Sequence, residues 1–163
     1  MSLKALLTIK YRNFFLYRSL ARELASCRSV LDVGCGADST LRYIKKSFYS
    51  EGIDIFKPYI IESKRAGIHD RYRLGDIRTL NRYYKHKSFD TVIALDVVEH
   101  LKKNEAFKLI KEMENLAREK VIILTPNGFY HQNHYADNPY QGHRSGWQKK
   151  DLEQLGYKVF GLR

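Results

Sequence analysis

Four aspartates, one glutamate and two histidines stand where a strand gives way to a turn or loop, and these carry the chemical reading. Asp32 opens the run Asp32-Val-Gly34-Cys35-Gly36-Ala-Asp38-Ser39-Thr40. Two closely spaced glycines let the backbone turn tightly and bring its N–H groups against a ligand at a helix N-terminus. An acid ahead of them is out of place in a phosphate cradle and suits a ligand that carries a cation. A dinucleotide fingerprint wants glycine at the sixth position from Gly34, which is Ser39 here, and this counts against nicotinamide or flavin chemistry. Asp54 lies 18 residues beyond Gly36, where a carboxylate can accept hydrogen bonds from both hydroxyls of a ribose. In Gly75-Asp76-Ile77, Asp76 could take the exocyclic amine of an adenine. Each aspartate alone reads as readily as a helix cap or turn residue. Three acids at the ends of three successive strands are hard to attribute to capping alone.

A fourth such place reads Asp96-Val97-Val98-Glu99-His100-Leu101. Glu99 and His100 either supply polarity at a helix start, where the dipole favours Glu99, or one of them faces an acceptor pocket. The stretch His131-Gln-Asn-His134-Tyr-Ala-Asp137 and His143 raises the question of a metal. Two histidines three apart share a face only on a helix, and Asn133, Asp137, Asn138 and Pro139 argue for a loop, so no metal site is expected there. The preferred reading is a flexible loop at the edge of a ligand site.

The elements that must position these residues alternate between strand and helix. Apolar runs predict strands over 29–33, 50–55, 71–74, 89–95, 121–124 and 156–160, with helices over 39–48, 58–66, 104–118 and 148–155. Such alternation builds a parallel sheet covered by helices on both faces, with ligands outside the carboxyl ends of the strands. Ahead of the first strand, a helix over 11–26 places Phe14, Phe15, Leu20 and Leu24 largely on one face, beside Arg12, Arg18 and Arg22. An apolar stripe is more often core than membrane anchor, so this helix is expected to pack on the domain with its aromatic face at least partly buried.

The 163 residues, 44% hydrophobic and 29% charged, suit one α/β domain. No apolar run reaches the roughly 20 residues of a membrane span, and Thr8 and Lys10 break the short one at the start, which argues against a secretory signal. Cys27 and Cys35 make no disulfide scaffold, and Cys35 is simply a small side chain in the glycine loop; a reducing, cytoplasmic setting is expected. The net charge of +11 either marks a surface for polyanions such as RNA or lipid headgroups, or is a solvated basic surface.

The chain resembles the class I S-adenosylmethionine-dependent methyltransferases in Val30-Leu-Asp-Val-Gly-Cys-Gly36, Gly52-Ile-Asp54, Gly75-Asp76 and, above all, Phe89-Asp-Thr-Val-Ile-Ala-Leu-Asp-Val-Val-Glu-His-Leu101. The resemblance implies a Rossmann-like, doubly wound, mostly parallel sheet of strand order 3-2-1-4-5. Family sheets add an antiparallel seventh strand. Here Arg163 follows the sixth expected strand directly, so a shortened or incomplete C-terminal strand pair is expected. The domain would comprise an N-terminal helical segment (1–28), a cofactor-binding core (29–125) and an acceptor-side loop, last helix and final strand (126–163).

By the same resemblance, Gly34, Cys35 and Gly36 lie against the methionine part of S-adenosylmethionine, with Asp32 near its amino group. Asp54 holds the ribose and Ile55 packs on the adenine. Asp76 and Ile77 meet the adenine edge, and Asp96 and Val97 line the methionine end. Where many members have a further glycine, this chain has Asp38, a candidate N-cap in rivalry with Ser39. The Asn/Asp-Pro-Pro-Tyr/Phe signature of base-amine methylation is missing after the fourth strand, and Asp96-Val-Val-Glu-His-Leu101 resembles the branch acting on small-molecule and lipid-linked acceptors. His100, His131 and His143 are the candidate bases for an oxygen acceptor, and the resemblance makes the loop before the last helix an acceptor-side lid in which His143 either contacts the acceptor or orders the loop. An RNA methyltransferase using the basic surface, and a cofactor-binding protein without turnover, stand as alternatives.

Overall fold

The computed structural model describes residues 3–133 and 137–161, with side chains of the first helix described from Phe14 onward. Helix α1 (Leu3–Leu24) leads into β1 (Ser29–Val33), followed by β2 (Tyr49–Asp54), α2 (Lys57–Arg65), β3 (Arg71–Leu74), β4 (Phe89–Leu95), α3 (Lys103–Leu116), β5 (Ala117–Leu124) and α4 (Lys149–Glu153). The five strands form one sheet in the order β3-β2-β1-β4-β5, every pair parallel.

The period of two along each strand decides what covers which face. Leu31 and Val33 of β1 and Val92 and Ala94 of β4 join Ala106, Leu109, Ile110 and Met113 of α3 in one core cluster. Val30 and Ile93, one residue out of step, join Leu20 and Leu24 of α1, Leu41, Ile44, Phe48 and Ile68 in the other. The acids at the strand ends are thus carried by a sheet buried on both sides.

Three expectations change. The segment 39–48 forms no α-helix, only a 3-10 turn at Thr40–Tyr43, with the Ser39 hydroxyl accepting from the Leu41 N–H at 3.2 Å. Leu41, Ile44 and Phe48 have helical spacing because each dips into the core, yet Ile44 is already extended (φ −111°, ψ 128°). Ser39 therefore wins the cap, while Asp38 pairs with Arg42. Residues 156–160 form no strand: Tyr157 and Val159 pack against the core without a backbone ladder.

The third change concerns α1. Leu20 and Leu24 are buried, but Phe14 and Phe15 are 51% and 52% exposed, so the aromatic face expected to pack on the domain does not. The apolar residues of this helix do separate functions, the last two turns docking and the aromatic pair remaining in solvent. A smaller shift is that Ala117 and Arg118 belong to β5 rather than to the preceding helix, since Ala117 pairs with Phe89 and the Arg118 Nε donates to Asp90 at 2.8 Å.

Candidate functional site

The carboxyl ends of β1 to β4 and the loop after β5 enclose a cavity of about 420 Å³. One wall carries Gly34, Asp54, Ile55, Asp76, Ile77, Asp96 and Val97, and the other carries His100, Leu101 and the segment from Asn138 to Arg144, His143 included. Seven of the ten residues expected at the cofactor thus share one cavity with His100, His131 and His143. Asp32, Cys35 and Gly36 stand behind it.

The strand-end wall is held by backbone geometry. Gly34 has φ +68°, and a Cβ there would lie 2.8 Å from a Val97 methyl, so a side chain is refused by both conformation and space. Asp54 accepts from the Gly36 N–H at 3.0 Å and the Phe56 N–H at 2.8 Å, one on each oxygen, which ties the end of β2 to the glycine loop. Burial raises the Asp54 pKa even against these N–H donors. Arg78 binds both oxygens of Asp76 and holds that carboxyl below its ordinary range. Asp96 has φ +54°, a left-handed conformation unusual for a residue with a side chain, where β4 turns off the sheet.

The residues behind the wall brace it. Asp32 is buried, and its Oδ2 accepts from the Ser39 hydroxyl at 2.5 Å and lies 3.0 Å from His69 Nε2. Burial pushes the Cys35 thiol far up, which rules out a thiolate nucleophile. The glycine loop runs into a 3-10 turn, so no helix N-terminus backs it.

The opposite wall is built by a loop docked on the 3-10 turn Val98–His100. The N–H groups of Arg144 and Ser145 donate to the Glu99 carbonyl at 2.8 and 3.1 Å, and the Ser145 hydroxyl donates to the Val98 carbonyl at 3.2 Å. Behind it, Lys103 Nζ lies 3.7 Å from the centroid of the Trp147 ring and donates to Asp151 at 2.9 Å. The rings of His100 and His143 meet edge-on at 4.9 Å. His143 Nδ1 lies 2.7 Å from the Tyr130 carbonyl, and His100 Nδ1 lies 3.4 Å from that of Gly142. A carbonyl only accepts, so in the neutral form of each ring Nδ1 carries the proton and Nε2 keeps a lone pair.

Glu99 completes a group that the sequence reading did not assemble. One ligand atom each from Glu99, His100 and His143 lie within 4.8 Å of one another. Glu99 is buried, Thr125 donates to its Oε2 at 3.0 Å, and its Oε1 has no partner. Burial drives its pKa up to about 7, and burial also lowers that of His100. Such a trio can exchange a proton near neutrality or hold a divalent cation. The readable signal was Glu99-His100 at a strand end; what hid the trio was that His143 arrives from 43 residues further on. Of the stretch first weighed as a metal site, His131 lines the cavity, Asp137 is exposed, and His134 lies outside the described residues.

A family model described as a methyltransferase domain matches residues 31–129. A small RNA 2'-O-methyltransferase from Tetrahymena thermophila is 22% identical over 175 residues, covering 84% of this chain and 40% of that protein. The norajmaline N-methyltransferase of Rauvolfia serpentina is 28% identical over 117 residues, covering 65% of this chain and 37% of its own length. The chain thus spans about 40% of the length of the curated relatives it matches. The crystal structure of a SAM dependent methyltransferase from Archaeoglobus fulgidus superposes with a TM-score of 0.66 at 22% identity, over 94% of this chain and 72% of that one.

Proposed function

Because the chain belongs to the class I S-adenosylmethionine-dependent methyltransferases, we propose that it transfers a methyl group from S-adenosylmethionine to a hydroxyl oxygen of a small-molecule or lipid-linked acceptor. The reading is carried by one observation: the imidazoles of His100 and His143, their Nδ1 atoms turned to backbone carbonyls, line the same cavity as the strand-end residues, with the buried Glu99 carboxyl beside them.

The strand-end wall fits the cofactor. Gly34 packs its backbone directly against Val97 with no room for a side chain, and Asp54, Asp76 and Asp96 alternate with Ile55, Ile77 and Val97. That alternation suits a ligand with ribose hydroxyls, an aromatic base and positive charge. In this reading Gly34, Asp54, Ile55, Asp76, Ile77, Asp96 and Val97 touch the cofactor. Asp32, Cys35 and Gly36 act through them, Asp32 by fixing Ser39 and Gly36 by holding Asp54. When bound, the sulfonium supplies an electrophilic methyl carbon, whose displacement needs alignment and exclusion of water rather than an acid.

On the facing wall, His100 and His143 orient the acceptor hydroxyl and take up its proton. Glu99 fits a divalent cation as well as a proton, since its Oε1 is orphaned and both histidines direct the ring N–H toward backbone carbonyls, as metal-ligating histidines do. A cation held there would acidify the acceptor hydroxyl. Arg78 and Arg144 on the cavity wall supply positive charge for an anionic acceptor. The free, buried Cys27 and Cys35 support a cytoplasmic setting, and no described helix is long and apolar enough to cross a membrane.

The test is transfer of labelled methyl groups into cell extract separated into lipid, RNA, protein and small-molecule pools. Label is expected in the small-molecule or lipid pool and should vanish with His143→Ala. The net charge of +11 and the small RNA 2'-O-methyltransferase relative favour a second reading, a ribose hydroxyl of RNA. Label confined to the RNA pool, with salt-sensitive binding, would put that reading first. Cofactor binding with no label in any pool would instead indicate binding without turnover.

A further inference from the structure

The exposed part of α1 has no role in the cavity, and its chemistry is distinctive. Residues 1–22 contain Lys4, Lys10, Arg12, Arg18 and Arg22 and no acid at all; the first is Glu23, which pairs with Lys120 at 3.5 Å. Among the described side chains, Phe14 and Phe15 are about half exposed, and Arg18 stands beside them with its guanidinium 5.5 Å over the Phe14 ring. One turn on, Tyr17 stacks on the exposed Tyr43 (4.7 Å, 16°), and Arg42 flanks that pair. The result is a strip of aromatic edges bordered by guanidinium groups, running from the helix to the turn after the glycine loop.

We propose that this strip seats the protein on an anionic lipid surface, with α1 lying in the headgroup plane, Phe14 and Phe15 entering the acyl boundary, and Arg18 and Arg22 meeting the phosphates. A basic helix with exposed aromatics, too polar to span, is the pattern of an interfacial anchor. The geometry argues against single-stranded RNA, which needs open ring faces for base stacking. Here Arg18 lies over one face of Phe14, and Tyr17 and Tyr43 each give a face to the other. Charge argues against a second copy of this chain, since two helices each with five cations against the single Glu23 would repel. Tyr17 and Tyr43 also link the docked helix to Asp38 and the segment that Ser39 caps, so that the seated face is continuous with the back of the cofactor wall.

The test is flotation of the full chain with phosphatidylglycerol-rich vesicles against pure phosphatidylcholine vesicles. Binding is expected only to the anionic vesicles, weakening with salt. The double variant Phe14→Ser/Phe15→Ser should bind about tenfold more weakly or worse, and Arg18→Glu/Arg22→Glu should abolish binding. These positions are solvent-exposed, and the emission of the single, buried Trp147 verifies that each variant is folded. The inference stands apart from methyl transfer: His143→Ala should lose activity and keep vesicle binding. It is overturned if the chain ignores anionic vesicles at low salt, or if the Phe14/Phe15 variant binds them as well as the parent. It is equally overturned if that variant instead dissolves a dimer in sedimentation velocity or removes RNA binding while vesicle binding is missing throughout.

Discussion

The two walls of the cavity are made in opposite ways. On the strand-end side, the side chains of Asp54 and Asp76 are fixed by contacts within a few residues or by the neighbouring strand's turn, and the backbone is locked by Gly34. On the loop side, His100 and the Glu99 carbonyl depend on contacts with a segment more than 40 residues later, while His143 and the Glu99 carboxyl are held by Tyr130 and Thr125. One wall is therefore prefabricated by the sheet, while the other exists only once the loop has docked. A wall of the first kind suits a ligand shared by every member of a family, and a wall of the second kind suits one that changes.

That contrast can be broken by substitutions on either side. The largest effect is expected from Gly34→Val, whose Cβ meets Val97 while its φ is strained. Cofactor affinity measured by calorimetry should fall about 100-fold or more, with Trp147 emission unchanged. A folded variant that binds normally would remove Gly34 from the wall. Next, Glu99→Gln or His143→Ala should lower the rate of methyl transfer by roughly 10²–10⁴ while leaving cofactor affinity within about threefold. Equal losses of rate and affinity would mean that the two walls are not separable.

Asp54→Ala should weaken cofactor binding by about 1.5–3 kcal/mol, the cost of charge-assisted hydrogen bonds to a ribose. Unchanged affinity in that variant would take Asp54 out of the site. The facing wall carries its own pH signature. The Glu99 pKa stands at about 7 against an ordinary 4.5, so the folded chain holds a proton there that the unfolded chain has released. This contribution to stability is fully present below about pH 4.5 and is lost as the pH rises through about 7. Urea titrations across that window should show a slope that flattens in Glu99→Gln. Manganese binding should tighten over the same range as the carboxyl ionises; a pH-independent affinity would exclude Glu99 as a ligand. The smallest effect is expected of Ser39→Ala, about 1 kcal/mol of stability from the lost cap, read by chemical denaturation.

The same contrast explains how much was legible beforehand. The strands and most of the residues of the strand-end wall followed from local signals, because an apolar run stopped by a glycine or an acid describes both a strand and the residue at its tip; the order of the sheet came from the family resemblance. The expected helix over 39–48 failed because Leu41, Ile44 and Phe48 bury themselves at helical intervals along a chain that is largely extended. The final strand failed because apolar alternation at Tyr157 and Val159 records burial alone and says nothing about a hydrogen-bonded neighbour. Asp32 stands behind the cavity lining, where its Oδ2 meets the Ser39 hydroxyl and His69, a partner 37 residues away that no local pattern announces. Glu99, His100 and His143 were each visible singly. Their meeting was not, since no local pattern encodes where a long loop returns.

The return point of that loop has its own consequence. Asn127 and Gly128 bridge to Trp147, and the Trp147 N–H donates to the Gly128 carbonyl at 3.3 Å; Gly146 packs so closely on Phe129 that a Cβ would lie 2.7 Å away. The two stems are thus clasped independently of whatever runs between them. A clasped segment behaves as an exchangeable cassette: its length and composition can drift at an entropic cost that grows only logarithmically, about 0.6 kcal/mol per doubling, without unravelling the sheet beneath. Replacing the residues between Gln132 and Gln141, which leaves Phe129, His143 and Gly146 in place, should therefore redirect which acceptor is recognised while the thermal midpoint barely moves.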